Sequence, residues 1–186
     1  MPRSGRILDV GCGHGLLALH LAAGSSEREV VGVDIDEAKL RAARRAAGAA
    51  PALTNLTFVS GVGIDDHGPF DAVTVVDMLY LLTTEHQAAL VRSLARRLAP
   101  GGRLLVKEMA PAPRWKYRWM HAEEIVATRV ARITASRDGV LHHTAPSDLR
   151  RWMTAEGLEV SERRLDRHRP YPHHLVTGSA PTAGRA

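Results

Sequence analysis

The sequence predicts an α/β domain built on a doubly wound, mostly parallel seven-stranded sheet with helices on both faces. Three observations carry that expectation. Short β-branched runs alternate with amphipathic stretches through the first 109 residues, the pattern of parallel strands joined by right-handed helical crossovers. Two of the runs, "VVGVD" and "AVTVVD", are nearly all apolar, as strands covered on both faces must be. The first run leads straight into "DVGCGHG", a turn with glycines at Gly11, Gly13 and Gly15.

Taken in order, strands are expected at 6–10, 29–34, 56–60, 72–77 and 103–109. A helix over about 15–23 follows the glycine turn. The next runs from 37 to 48 behind Asp36, a residue type whose carboxylate caps free backbone N–H groups. A third helix begins at Thr84, with Thr84 and Gln87 at capping-box spacing. Its apolar stripe comprises Ala88, Val91, Leu94, Ala95 and Leu98, and Pro100-Gly101-Gly102 ends it. After Met109 two prolines precede a helical stretch in which Trp115, Trp119, Ala122, Val126, Val130 and Ile133 form one buried face. Pro146 then opens a helix through Glu156, with Gly157 just past its end. "LEVSERRL" and "HHLVTGS" read as two final strands, a hairpin-like pair on a sheet edge. Residues 1–186 thus form a single domain: a core over 6–109, a helical insert over 110–145, a last helix and two edge strands over 146–179, and a tail over 180–186.

Composition narrows the function classes. Hydrophobic residues make up 45% of the 186 and charged residues 24%, ordinary values for a folded domain. There is no apolar run long enough to span a bilayer and no signal-peptide pattern at the N-terminus, so a cytoplasmic location is expected. The single cysteine, Cys12, excludes an intramolecular disulfide and a cysteine-only metal site. The net charge of +5 is spread along an arginine- and alanine-rich chain, which speaks to solubility more than to a nucleic-acid partner. Two adjacent histidine pairs, His142-His143 and His173-His174, point opposite ways on an extended chain and make no ready chelate. No metal is expected.

An open α/β sheet binds ligands at the carboxyl ends of its strands, beside the first one. The spacing of the turn selects among nucleotides. A dinucleotide site needs its third glycine at relative position 6, where this chain has Leu16. A phosphate-binding P-loop needs a lysine, and none is present. Asp34 closes the second strand, where a carboxylate can accept hydrogen bonds from ribose hydroxyls. Cys12, between two turn glycines and without a basic neighbour, reads as a small filler residue rather than a nucleophile.

These features together resemble the class I S-adenosylmethionine-dependent methyltransferases. "ILDVGCGHGLLALHLA" is similar to the first motif of that family and "VVGVDID" to its second. "FDAVTVVDMLYLL" is similar to its fourth strand and following loop, and "LAPGGRLLVKE" to its fifth strand. The resemblance implies a seven-stranded sheet whose last strand is antiparallel, and S-adenosylmethionine as cofactor with S-adenosylhomocysteine as product. It implies that Asp9 faces the methionine amino group and that Gly11 and Gly13, flanking Cys12, admit the backbone close to the methionine moiety. Asp34 would hold the ribose, Ile35 would pack on the adenine, and Asp77 would line the cofactor site. The chain departs from the pattern twice. Val62 stands where many relatives carry an acid for the adenine amine, so either its backbone serves or Asp65 or Asp66 reaches back. The helices that usually precede the first strand are short or absent.

On the acceptor side, Asp77, Tyr80, Lys107 and Glu108 lie at the ends of the fourth and fifth strands. Tyr80 is a candidate to orient an acceptor hydroxyl and Glu108 to take its proton. In the insert, Tyr117, Met120 and His121 fall off the buried stripe and are pocket candidates, His121 as a catalytic group; Tyr171 and His173 could border the same pocket. The leading expectation is methyl transfer to oxygen of a small-molecule acceptor. Alternatives are methylation of RNA or of a phosphate-bearing lipid or nucleotide, supported by Arg114, Lys116, Arg118, Arg129 and Arg132, or a non-catalytic partner subunit. An exposed apolar flank beside the first strand would favour a homodimer.

Overall fold

The computed structural model describes residues 1–61, 68–109, 142–165 and 172–182. Seven strands form one sheet: β1 (Gly5–Val10), β2 (Arg28–Asp34), β3 (Leu56–Ser60), β4 (Phe70–Val76), β5 (Leu98–Met109), β6 (Glu159–Arg164) and β7 (His173–Ser179). Their order across the sheet is β3-β2-β1-β4-β5-β7-β6. The first five are parallel, and β7 enters antiparallel between β5 and β6. This is the topology that the resemblance implies. The helices are α1 (Leu16–Ala23), α2 (Glu37–Gly48), α3 (Thr84–Arg96) and α4 (Pro146–Ala155).

Strand alternation divides the core between two faces. On one, Leu8, Val10, Val31, Val33, Val73, Val75, Leu104, Val106 and Val176 pack with Val91 and Leu94 of α3 and with Leu149, Trp152 and Met153 of α4. On the other, Ile7, Val30, Phe58 and Ala72 meet Ala18 and Leu21 of α1 and Leu40 and Ala43 of α2. Each fully buried Leu or Val contributes roughly 1.5–3 kcal/mol relative to an exposed one, so both layers bind firmly to the sheet. The coverage is unequal. α1 and α2 contact chiefly β2 and β3, and Ala72 of β4 and Leu105 of β5 pack at the edge of the same cluster.

Element boundaries follow local chemistry. Asp36 accepts hydrogen bonds from the N–H groups of Ala38 and Lys39, as expected of an N-cap. At α3 the cap is Thr83, whose hydroxyl accepts from His86 N–H, and not Thr84. Leu98 also leaves the helical stripe: α3 ends at Arg96 and Leu98 already pairs with Phe70 in β5. Pro146 starts α4, and Gly157 past its end takes φ 79°, a left-handed conformation that glycine adopts without steric cost.

Gln87 has a different task from the capping box its spacing suggests. It is 1% exposed. Its amide nitrogen donates toward the carbonyls of Leu79, Leu82 and His142, and its Oε1 accepts from the Thr144 hydroxyl at 2.7 Å. One side chain therefore ties the loop after β4 to the segment leading into α4. Replacing Gln87 with Met keeps the volume but strands several buried polar groups, at roughly 1–3 kcal/mol each when unsatisfied. We expect Gln87→Met to lower unfolding stability by about 3 kcal/mol, read as a fall in the urea midpoint at unchanged slope.

Candidate active site

The glycine turn is anchored to the end of β2. Gly11 and Cys12 both donate N–H groups to the Val33 carbonyl, at 2.8 and 3.0 Å. Gly13 donates to Asp34 Oδ2 at 2.8 Å, while Asp34 Oδ1 accepts from Asp36 N–H at 2.9 Å. All three glycines have positive φ: 71° at Gly11, 54° at Gly13 and 79° at Gly15. Their surroundings differ. A Cβ on Gly13 would meet nothing within 4 Å, whereas one on Gly11 would lie 2.7 Å from Met78 Cγ and one on Gly15 2.5 Å from Phe58 Cζ. Among the described residues, Gly13 alone of the three has room where a Cβ would stand. Gly11 was expected to do the same; Met78 occupies the room where its Cβ would stand, so the lack of a side chain at Gly11 also serves packing under the loop after β4.

Two further residues stand near the carboxyl ends of β1 and β2, Asp9 and Ile35. Asp9, 2% exposed, accepts from the Thr74 hydroxyl through Oδ1 at 2.7 Å, and its Oδ2 is buried without a hydrogen-bond partner. Burial pushes the Asp9 carboxyl up to about 6, against the Thr74 hydroxyl and the Ala18 N–H, both of which favour its charged form. Ile35 is 81% exposed, an apolar side chain held in the open beside Asp34. An unpartnered buried carboxylate oxygen, a backbone cradle free of any Cβ and an exposed apolar shelf fit the amine, the close-approaching chain and the adenine of S-adenosylmethionine. Cys12 is half-buried, and burial together with Asp9 and Asp34 pushes its thiol up to about 12. It stays protonated, as its reading as a filler residue requires.

Along the same edge, Asp77 follows β4 with φ 50°, a left-handed backbone that Asp tolerates better than most residues. Its N–H donates to the Lys107 carbonyl at 3.0 Å and its Oδ2 pairs with Lys107 Nζ. Oδ1 lies 3.8 Å from Nδ1 of His173 on β7. Glu108 was a candidate proton acceptor, but the structure places it elsewhere. It is 4% exposed, and its Oε1 accepts from the N–H groups of Met78 and Leu79 at 2.9 and 2.7 Å. Glu108 thereby holds the loop that covers Gly11. Burial pushes its carboxyl up to about 7, opposed by those two N–H groups. The Tyr80 ring stacks on His143 with centroids 6.2 Å apart, and its carbonyl accepts from His142 N–H.

Val62, Asp65, Asp66, Tyr117, Met120, His121, Tyr171 and most of the expected insert lie outside the described residues. Among the described residues no group of three or more His, Cys, Asp or Glu is placed to hold a metal, and no helix is long and apolar enough to cross a membrane. Thr74, Met78 and Gln87 were not anticipated in these roles. Thr74 had a visible signal, a lone hydroxyl in the apolar run "AVTVVD".

Fold and turn geometry together define an open α/β domain in which a glycine turn and a closing carboxylate meet at the carboxyl ends of β1 and β2. Residues 7–102 match the family described as a methyltransferase domain. The chain belongs to that family, the class I S-adenosylmethionine-dependent methyltransferases. Among similar proteins is a ubiquinone biosynthesis O-methyltransferase of Xanthomonas axonopodis, 26% identical over 168 residues, which cover 87% of this chain and 65% of the relative. The chain thus spans just under two thirds of that protein's length. Among solved structures, an O-methyltransferase family protein from Burkholderia thailandensis superposes with TM-score 0.76 at 20% identity, covering 98% of this chain and 52% of the other. The magnesium protoporphyrin IX methyltransferase of Synechocystis PCC 6803, with S-adenosylhomocysteine bound, gives TM-score 0.73 at 22% identity, covering 95% and 74%.

Two outcomes test the site. Gly13→Ala places its methyl in open space, so it should lose only about 1 kcal/mol of stability through its backbone angle while abolishing S-adenosylhomocysteine binding in calorimetry. Gly15→Ala drives a methyl into Phe58 and should cost roughly 3 kcal/mol, read by urea denaturation. Glu108 supplies a pH signature. Its folded pKa lies above the ordinary 4.5, so the folded state holds a proton that the unfolded state has lost, and stability falls as pH rises from about 4.5 to about 7. Glu108→Gln keeps an acceptor oxygen without the charge. Its stability should gain on the parent chain between those limits by on the order of 2 kcal/mol, with denaturation midpoints across that range as the check.

Proposed function

We propose that this chain transfers a methyl group from S-adenosylmethionine to an oxygen of a small-molecule acceptor. The open cradle at Gly13, flanked by the Asp34 carboxylate and the exposed Ile35, carries the reading. When bound, S-adenosylmethionine supplies an electrophilic methyl on a sulfonium centre. The task left to the protein is to hold that group, align an acceptor and exclude water.

Each part falls to a named residue. Asp34 already accepts one N–H at each oxygen, and the remaining lone pairs of its carboxylate are the acceptors for the ribose hydroxyls. Ile35 gives the adenine an apolar surface. Asp9 meets the methionine ammonium through the oxygen that lacks a partner, and Thr74 holds its other oxygen in place. Asp77 lines the methyl end of the site, and Tyr80 borders the acceptor. Oxygen as the acceptor atom draws support from the names of the Xanthomonas and Burkholderia relatives. The basic residues that favour RNA, Arg114 to Arg132, lie outside the described residues, and no described feature favours that reading.

Calorimetric titration with S-adenosylhomocysteine tests the proposal directly. Micromolar binding to the 186-residue chain is expected, weakened about 100-fold or more by Asp34→Ala, which removes charge-assisted hydrogen bonds. Asp9 adds a pH dependence. Its carboxyl titrates near 6 and must be ionised to receive an ammonium, so affinity should fall as pH drops below about 6 and Asp9→Asn should flatten that fall. A folded chain that binds no S-adenosylhomocysteine defeats the reading.

A further inference from the structure

β6 stands last in the order of the sheet, so among the described residues one of its edges has no strand beside it. The ladder on its other edge fixes which backbone groups face outward. Leu165 N–H donates to the His173 carbonyl at 2.8 Å, and the register runs unbroken from Arg164 opposite His174 to Glu159 opposite Ser179. Bonded pairs recur at every second residue of an antiparallel ladder, so Glu159, Ser161 and Arg163 bond to β7. Val160 and Glu162 therefore turn their N–H and C=O groups away from it. Two contacts agree. Arg150 Nη1 reaches the Val160 carbonyl at 3.4 Å, an exposed contact, and the bond from Ala180 N–H to the Gly102 carbonyl directs the even-numbered residues of β7 toward β5.

Side chains alternate between the two faces of a strand. Val160 packs on the core beside α4, and on its face Glu162 is held by Arg150 and His174. Glu159, Ser161 and Arg163 lie on the opposite face, and all three are exposed. Glu159 and Arg163 stand four residues apart, about 13 Å along a strand, too far to pair with each other. Among the described residues neither forms an ion pair.

Charge on an edge strand commonly repels a second strand. Here the charges are spaced so that a second copy of the same strand answers them. Only outward-facing residues can exchange backbone hydrogen bonds, so Val160 and Glu162 set the permitted registers. With Val160 opposite Glu162 of the second copy, a two-fold axis passes between the two Ser161 residues. Glu159 of each copy then falls directly opposite Arg163 of the other, and the Ser161 hydroxyls face each other between those pairs. Registers one step to either side set Glu162 against Glu162, like charges directly opposed, or leave Arg163 facing Gly157.

We propose that β6 is a self-recognition edge, where two copies of this chain pair antiparallel with Val160 opposite Glu162 and with Glu159 and Arg163 joined across the two-fold axis. The two seven-stranded sheets become one. β6 runs parallel to β5, since both are antiparallel to β7, so the second copy is turned head to tail. The two glycine turns then lie at opposite margins of the joined sheet, and neither faces the interface. A single strand edge is small beside the roughly 1,600 Å² of a standard interface, so the dimer is reversible and depends on concentration.

Sedimentation velocity of the full chain, from micromolar to millimolar concentration, tests the proposal. The parent should pass reversibly from monomer to dimer, and less readily at high salt, which screens exposed charges. Glu159→Arg and Arg163→Glu each set like charges across the axis and should each raise the dimer dissociation constant at least about tenfold. Both positions are exposed, so each variant should keep the circular dichroism spectrum of the parent. An equimolar mixture of the two variants should dimerise to about the extent of the parent, because one copy then presents only positive charge along that face and the other only negative. Hydrogen exchange at the Val160 and Glu162 amides should slow as the parent dimerises. A parent chain that stays monomeric at millimolar concentration, a dimer indifferent to either variant, or a mixture that associates no better than its components overturns the proposal.

Discussion

The contact on which the site depends is the hydrogen bond from Gly13 N–H to Asp34 Oδ2. It joins the turn after β1 to the end of β2, and does so with a carboxylate whose further acceptor capacity faces the ligand space. Two more N–H groups, from Gly11 and Cys12, close on the Val33 carbonyl, so the turn has little freedom left. What remains open is the room above Gly13. A turn fixed by three hydrogen bonds has little conformational freedom left to lose, which lowers the ordering cost of any association there.

From that knot the sheet edge continues as a series of interlocked loops. Met78 fills the room above Gly11, Glu108 holds the backbone of Met78 and Leu79, and Gln87 ties the same loop to His142 and Thr144. Each fastener is a buried polar side chain whose oxygen or amide satisfies backbone groups that a tight turn leaves unpaired. Irregular backbone at the carboxyl ends of parallel strands cannot complete its own hydrogen bonds. Side chains from neighbouring elements complete them here, and the loops gain definite shapes as a result.

That division explains what could be read from the sequence. The strands were legible because β-branched runs such as "VVGVD" leave few alternatives, and β3 and β7 fall where the pattern put them. Asp34 and the glycine turn stand out in the sequence because each closes an apolar run with residue types a buried strand does not need, although the bond between Gly13 and Asp34 spans 21 residues. The tie from Glu108 to the loop was not legible because its partners, Met78 and Leu79, lie some thirty residues away, and a carboxylate at a strand end looks the same whether it faces a pocket or a backbone. Gln87 was assigned to a helix cap for the same reason. Gly11 and Gly13 are indistinguishable as letters; only the position of Met78 shows that one packs and the other opens.

The fastening at Gln87 also bears on how the chain assembles. β7 must find β5 across a long stretch of sequence, since His173 pairs with Met109. Once Thr144 and His142 are tied to Gln87, the loop left to close before β7 can dock begins at Thr144 and is less than half as long. Chain statistics set the saving at about 0.6 kcal/mol of closure entropy for each halving. A single amide in the middle of the chain thereby gives the final hairpin a nearby starting point, and long-range strand pairing becomes a more local search.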